Sequence, residues 1–519
     1  MTRPQLYAAI DLGASSARLF AGRLEADSLV ASEVTRLPNG PVRLPDGLHW
    51  DVLRIHQGML EGLAGLSRQA DGPLWVGIDG WGVDYGLLDA AGHLLGPPFH
   101  YRDQRNVGRL EEANRLVGAG HIYDATGIQE MEINTMFQLM AERGSAAYGA
   151  AAHLLLVPDL LAYFLTGERR FERTNASTTQ LVDVRTGDLV EPLLRVLGLR
   201  TDLFAPVVQP GETVGRVLAE VAASVEISSP VSVVAVGSHD TASAVLAAPA
   251  RVDDFAYVVS GTWSLVGLEL EKPVIDEASR QANFSNELGV DGTVRFLRNV
   301  MGHWMLQECE RAWALSGRPH GIGLLLEEAS RRPAFRSLVD TTDPDFARPG
   351  NMPALVRATC AKNGEPVPGS DAELVRCIVD SMALAIAGTL EEALSLARHS
   401  VSVVHVVGGG VANELLLGLI AAATGLDVVA GPVEASAIGN LLVQLRASGQ
   451  VGDRREMRAL VSRSFPTKRY QPDSALGRAA SAAWPRLREL AARRRSLPRD
   501  AARCSRSPER AGDGERGDE

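Results

Sequence analysis

Short apolar runs, each closed by a carboxylate or a small-residue turn, recur along the chain. Tyr7 to Leu12 carries Asp11 near its end and runs into Gly13-Ala14-Ser15-Ser16, after which Ala17 to Leu24 is again largely apolar. Runs of this kind bounded by turn residues predict buried strands, so the pair reads as a hairpin with a polar turn. Phe255 to Ser260, the turn Gly261-Thr262-Trp263-Ser264, and Leu265 to Leu270 repeat the plan in the second half. The repetition predicts two related lobes, each offering a hydroxyl-bearing turn to a ligand held between them.

Three further runs end in turns with polar or glycine content. Leu74 to Asp79 leads into Gly80-Trp81-Gly82-Val83-Asp84-Tyr85 and a second strand through Leu88. Pro230 to Val236 leads through Gly237-Ser238-His239-Asp240 into a helix over Thr241 to Ala248. Val401 to Val407, Gly408-Gly409-Gly410, a helix over Asn413 to Thr424 and a strand over Asp427 to Ala430 make a βαβ unit. Ser370-Asp371-Ala372-Glu373 has capping-box spacing, and Leu374, Ile378, Met382 and Ala385 follow at helical intervals, so a long buried helix is predicted there. Phe296 to Gln307 reads as the start of a helix with Asn299 and Gln307 exposed on one side. Residues 105–225 read as mainly helical, the body of the first lobe and a wall of its pocket, with a polar cluster at Thr174-Asn175-Ala176-Ser177-Thr178-Thr179.

At 519 residues the chain exceeds one core, so two large domains are expected, and 45% hydrophobic content is ample for both. The net charge of −11, with no basic stripe in the body, argues against nucleic acid as the main partner. Without a long apolar run or a basic, apolar leader, neither a membrane nor secretion is indicated, and a cytoplasmic protein with a small ligand is expected. Beyond Trp484 the chain turns arginine-rich, then rich in Gly, Ser, Pro and charge, which predicts disorder. Cys309, Cys360, Cys377 and Cys504 have no zinc-ligand spacing, and Cys360 and Cys377 are expected to be buried thiols. Lys272, Lys362 and Lys468 are the only lysines, and none has the context of a P-loop or of a protein kinase. Any bound phosphate must therefore be held by another device.

Asp240 is the leading candidate for proton transfer, because a strand-to-helix turn can hold a carboxylate and still face a cleft. Taken alone, an acid in that position is more often a plain cap. Gly13 with Ser15 and Ser16 could cradle an anion through N–H groups and hydroxyls, although such turns are commonly only turns. Asp11 and Asp79 each lie at a strand end and could converge at one sheet edge to hold a hydrated Mg²⁺. Trp81 and Tyr85 fit a core equally well. The triple glycine would let a flat ring lie against the backbone.

The combination of Asp11 to Ser16, Gly77 to Tyr85, Ser238 to Val245, Ser260 to Ser264, Gly408 to Gly410 and Gly431-Pro432-Val433-Glu434-Ala435-Ser436 resembles the FGGY family of carbohydrate kinases over roughly residues 6–470. The resemblance implies an α/β fold with two lobes of the actin-like, ribonuclease-H-like ATPase type and an interdomain cleft. The expected division is 1–248 for the lobe with the sugar site and first phosphate loop, 249–485 for the lobe with the nucleotide site, and 486–519 for a disordered tail. It implies Ala14, Ser15, Ser16, Ala17, Arg18, Thr262, Gln307 and Gly409 at ATP, and Gly82, His239, Asp240, Thr241 and Asn299 at the sugar. Asp240 becomes the proton acceptor, with Asp11 and Asp79 at Mg²⁺. The expected reaction passes the γ-phosphoryl group of ATP to the 1-hydroxyl of a ketose, L-rhamnulose first, with L-fuculose or a pentulose as alternatives. A conformational ATPase or a sugar sensor without turnover would use the same cleft. Nothing in the sequence sets an oligomeric state. Two positions depart from the family pattern: Ala17 where glycine is frequent, and Gly80 where threonine is frequent, the latter with an expected effect on the sugar pocket.

Overall fold

The computed structural model describes residues 5–70 and 72–495. Tyr7–Leu12 (β1) is buried along its whole length because it is central in its sheet. It forms the expected hairpin with Ser16–Glu25 (β2), which continues into Ser28–Pro38 (β3). Leu74–Gly80 (β4), Thr213–Arg216 (β5) and Val231–Val234 (β6) complete the sheet in the order β3-β2-β1-β4-β6-β5. β4 runs parallel to both β1 and β6, while the other pairs are antiparallel.

The second sheet comprises Phe255–Ser260 (β7), Trp263–Leu270 (β8), Ser285–Leu288 (β9), Val294–Met301 (β10), Val403–Val407 (β11), Asp427–Ala430 (β12) and Lys468–Tyr470 (β13). Its order is β9-β10-β8-β7-β11-β12-β13. Apart from the added β9, it repeats the first sheet: three antiparallel strands, two parallel ones, and an antiparallel edge. The duplication read from the two hairpins therefore extends through both sheets, as an actin-like pair of lobes requires.

The helices Asp240–Leu246 (α1) and Ala435–Ala447 (α5) pack between the sheets. Ala9 and Phe20 of the first sheet, Ala244 and Leu246 of α1, Tyr257 and Val407 of the second sheet, and Ile438 and Leu442 of α5 share one apolar layer. Each fully buried aliphatic side chain contributes about 1.5–3 kcal/mol relative to exposure, so this layer holds the lobes together. Polar contacts add direction: Gln444 donates to the Ala8 carbonyl at 3.0 Å, and Asn440 donates to Asp79 at 2.6 Å. The cleft opens above this floor.

The long helix Asp371–Ala397 (α3) starts at Ser370, whose hydroxyl accepts from the Glu373 N–H as the spacing predicts. The Glu373 carboxylate accepts from Gly369 N–H. Glu414–Thr424 (α4) is capped by Asn413 and joins β11 to β12.

Two expectations are corrected. Phe296 to Met301 lies in β10, and the helix begins only at Trp304 (α2, Trp304–Leu315). Apolar positions paired on both sides by β8 and β9 favour the strand over the helical spacing. The chain past Trp484 also continues as a helix, Ser474–Arg495 (α6), because Ala480, Ala483, Leu487 and Leu490 give it a face against the second core. Residues 496–519, including Cys504, lie outside the described residues. Cys360 and Cys377 are buried thiols with sulfurs 4.0 Å apart, well beyond an S–S bond of about 2.05 Å. Among the described residues no helix is long and apolar enough to cross a membrane.

Candidate active site

A cleft of about 680 Å³ separates the lobes, and residues from both line it. The turns Gly13–Ser16, Gly261–Trp263 and Gly408–Gly410 line it, as do Trp81–Val83, Tyr101, Gln129, Thr178 and His239–Thr241. Asp240 is among them. Its side chain is 30% exposed, and Thr241 Oγ1 donates to its Oδ1 at 3.0 Å.

The turn that presents Asp240 is fixed from beneath. Buried Glu172 accepts from Ser238 Oγ at 2.7 Å and Ser238 N at 3.1 Å, while also accepting from Thr174 and Asn175. The Gly80 N–H donates to the Ser238 carbonyl at 2.9 Å, so β4 and the turn are tied together. A Cβ at Gly80 would lie 2.7 Å from Leu12 Cβ, facing the neighbouring strand. Glycine at that position is thus set by strand packing.

Asp84 organises the aromatic wall. Its carboxylate accepts from the indoles of Trp50 and Trp81, from Tyr101 N at 3.2 Å and from Gln138 Nε2 at 2.7 Å. Burial raises it to about 7 despite these donors. Trp81 and Tyr101 line the cleft, with the Trp81 indole N–H and the Tyr101 backbone N–H satisfied by Asp84.

Asp11 and Asp79 are direct cross-strand partners in parallel register, as the strand-end reading expects, but they differ in access. Asp11 borders the cleft and is ion-paired with Arg18, whose guanidinium also binds Glu434 of the opposite lobe. Burial, helped by the like charges of Asp240 and Glu434, lifts Asp11 to about 6 against the pull of Arg18. Asp79 is fully buried, with Asn440 on Oδ2 and no partner on Oδ1. Burial, and then Asp11 beside it, push it well above the usual carboxylate range. Of the two, Asp11 lines the cleft, while Asp79 beside it in the sheet is buried and off the cleft surface. No cluster of three or more His, Cys, Asp or Glu able to cage a cation exists among the described residues. A hard cation here would depend on Asp11, water and the nucleotide's own phosphates, the habit of Mg²⁺.

Ala14, Ser15, Ser16, Arg18, Thr262, Gln307 and Gly409 all line the cleft, as do Gly82, His239, Thr241 and Asn299. Ala17 does not. On β2 side chains alternate, so Ser16 and Arg18 face the cleft while the Ala17 methyl packs into the first core. A methyl on that face leaves the turn intact. Space stays open above Gly409, whereas a Cβ at Gly410 would meet Ser260 Oγ at 2.0 Å, so the glycine turn seats against the second hairpin.

Several lining residues escaped the sequence reading. Gln129 Oε1 accepts from both N and Nδ2 of Asn299 across the lobes, at 3.2 and 3.1 Å, which places Asn299 in the cleft from a strand. Thr178 lies in the polar cluster at 174–179, and Glu434 in the Gly431–Ser436 segment, so both had a signal. Glu287 is a single acid in β9 and had none.

Residues 6–247 match the N-terminal domain of the FGGY family of carbohydrate kinases, and residues 256–448 match its C-terminal domain. The chain belongs to this family. As an FGGY kinase it is an enzyme that takes a sugar and ATP as substrates. It is 40% identical over 470 residues to a rhamnulokinase of Bacteroides thetaiotaomicron, covering 90% of this chain and 96% of that one. Identity to a rhamnulokinase of Enterococcus faecalis is 39% over 469 residues, 90% of this chain and 94% of the relative. Among solved structures, this FGGY kinase superposes on the xylulose kinase of Lactobacillus acidophilus with a TM-score of 0.78 at 14% identity, covering 96% and 99% of the two chains. Glycerol kinase of Plasmodium falciparum with ADP gives 0.75, again at 14% identity, over 96% and 99%. These likenesses extend the shared two-lobed fold over nearly the whole chain.

Proposed function

We propose that this kinase transfers the γ-phosphoryl group of ATP to the 1-hydroxyl of L-rhamnulose, giving L-rhamnulose 1-phosphate and ADP. The observation that carries the reading is the 40% identity, over nine-tenths of the chain, to relatives named rhamnulokinase. Asp240 is the proton acceptor: the new O–P bond forms at the sugar oxygen, the bond to ADP breaks, and the hydroxyl proton passes to the Asp240 carboxylate. A strong base is not needed at this position, because the proton leaves late in a loose phosphoryl-transfer transition state. Alignment does the larger share.

Ala14 to Ser16, Thr262 and Gly409 receive the nucleotide, with Gln307 at the same end. Arg18 replaces the missing lysines as the cation facing the phosphates, exchanging Glu434 for them. Mg²⁺ would be held by Asp11, with Asp79 behind it, and would neutralise phosphate charge when bound. Gly82, His239, Thr241 and Asn299 hold the sugar. The lobes close over both substrates and exclude the water that would otherwise take the phosphoryl group.

Asp11→Ala is expected to raise the Mg²⁺ concentration needed for half-maximal rate by roughly 10- to 100-fold, the range of a lost charged contact. Sugar binding in the absence of nucleotide should stay unchanged, and a matching loss in a sugar titration would contradict the assignment.

The reaction is tested by the initial rate of ADP formation with Mg·ATP and, in turn, L-rhamnulose, L-fuculose, L-ribulose and D-xylulose. The highest kcat/KM is expected with L-rhamnulose. A higher value with another ketose moves the acceptor and keeps the kinase.

A further inference from the structure

His239 precedes the catalytic carboxylate, and its ring is gripped from the opposite lobe. Arg295, on β10 and fully buried, directs Nη2 at His239 Nδ1 across 3.1 Å. Its Nε and Nη2 also donate to the Leu288 carbonyl at 3.3 and 3.1 Å, which fixes the guanidinium plane. Glu287 is the cross-strand partner of Arg295, with Oε2 3.2 Å from Nη1. The same Oε2 lies 3.3 Å from His239 Nδ1, and Ser285 Oγ donates to Oε1 at 3.2 Å. On its other edge the ring has Nε2 3.6 Å from Asp240 Oδ1.

A guanidinium has only donors and a carboxylate only acceptors; the closer of the two at Nδ1 is Arg295 Nη2, at 3.1 Å against 3.3 Å, and toward it Nδ1 is an acceptor. The proton of a neutral His239 then resides on Nε2, facing Asp240. We infer that Arg295 and Glu287 are positioning residues for the transfer reaction, holding His239 as the Nε2–H tautomer so that it donates to Asp240 Oδ1 and leaves Oδ2 for the sugar hydroxyl. The 3.6 Å separation is of the kind that tightens when substrate closes a cleft. Glu287 balances the buried Arg295 charge, without which the guanidinium would be drawn away from the ring. The second lobe thus sets the orientation of a carboxylate presented by the turn between β6 and α1. The inference rests on Asp240 being the proton acceptor.

The tautomer can be read directly, by long-range ¹H–¹⁵N correlation on the full-length kinase labelled with ¹⁵N-histidine, the His239 signals being assigned by their loss in His239→Gln. Wild type is expected to carry its proton on Nε2 with Nδ1 as an acceptor. In Glu287→Gln and Arg295→Met the signals should move to a mixture of tautomers. kcat should fall roughly 10- to 100-fold, the cost of a misplaced reacting group, while the dissociation constant for sugar, to which the His239 ring also contributes, rises by a smaller factor. Arg295→Lys should recover part of kcat, since one donor returns. A wild-type ring protonated on Nδ1, alone or together with Nε2, overturns the proposal whether or not any variant folds. So does a Glu287→Gln kinase with unaltered kcat, or one whose sugar affinity drops as far as kcat, which would mark Glu287 as a direct sugar contact. The ring signal is independent of which ketose is phosphorylated, so failure of the substrate assignment would be seen separately.

Discussion

Asp240→Asn is expected to lower kcat by roughly 10² to 10⁴, the usual contribution of a positioned general base, while sugar affinity stays within a small factor of wild type. The amide is nearly isosteric and can still accept from Thr241 Oγ1, which holds the native carboxylate at 3.0 Å. What it lacks is an oxygen able to take a proton. Because the Ser238 side of the turn is secured by Glu172 and β4, the substitution should leave the backbone in place. Rates under saturating Mg·ATP, paired with calorimetric titration of the sugar, separate the two quantities. Near-wild-type turnover would remove Asp240 from the mechanism, and a large loss of sugar affinity would recast it as a binding group.

The second large effect is structural in origin and catalytic in outcome. Gly439 lies where α5 crosses α1, and a Cβ there would sit 1.8 Å from the Ser243 carbonyl oxygen. The obstacle is backbone, so no rotamer change relieves it. Gly439→Ala must push α1 away from α5, disturbing the layer that joins the lobes and the helix that begins with Asp240. Overpacking of this kind typically costs about 1–3 kcal/mol, and the clash here puts the expected loss at or above ~3 kcal/mol. A shift of about 1 Å at the reacting group is worth a further ~10² in rate. Denaturant midpoints and kcat of the folded fraction would measure the two losses. Gly418→Ala is the control, since it stands inside α4 and, apart from the helix's own adjacent backbone, nothing comes within 4 Å of its Cβ. It should be neutral or stabilising by about 0.5–1 kcal/mol. If Gly439→Ala matches that control in both stability and rate, the close crossing does not constrain the site.

The corrected assignments share a physical cause. Asn299 was expected on a helix, because one apolar run of this length fits either period and the sequence does not reveal that β8 and β9 flank it. Asp79 has the same strand-end setting as Asp11, but Asp11 reaches the cleft and Arg18 while Asp79 is buried against Asn440 from the other lobe. The Ala17 departure is harmless because strand alternation turns its methyl into the core, and Gly80 answers to Leu12. Both facts concern facing, which local pattern leaves open until strand partners are known.

Local sequence alone determined the strands β1, β4, β7 and β11, the hydroxyl-bearing turns between hairpin strands, the duplicated plan and the turn that carries Asp240, because each follows from apolar runs ending in residues that only turns favour. It also excluded lysine-based phosphate loops outright. Tertiary structure alone decided which carboxylate reaches the cleft, that Arg18 bridges the lobes through Asp11 and Glu434, and that Glu287 and Arg295 stand behind His239. Those relations join residues from opposite lobes, and their energies come from burial and charge pairing at distances that no local pattern encodes.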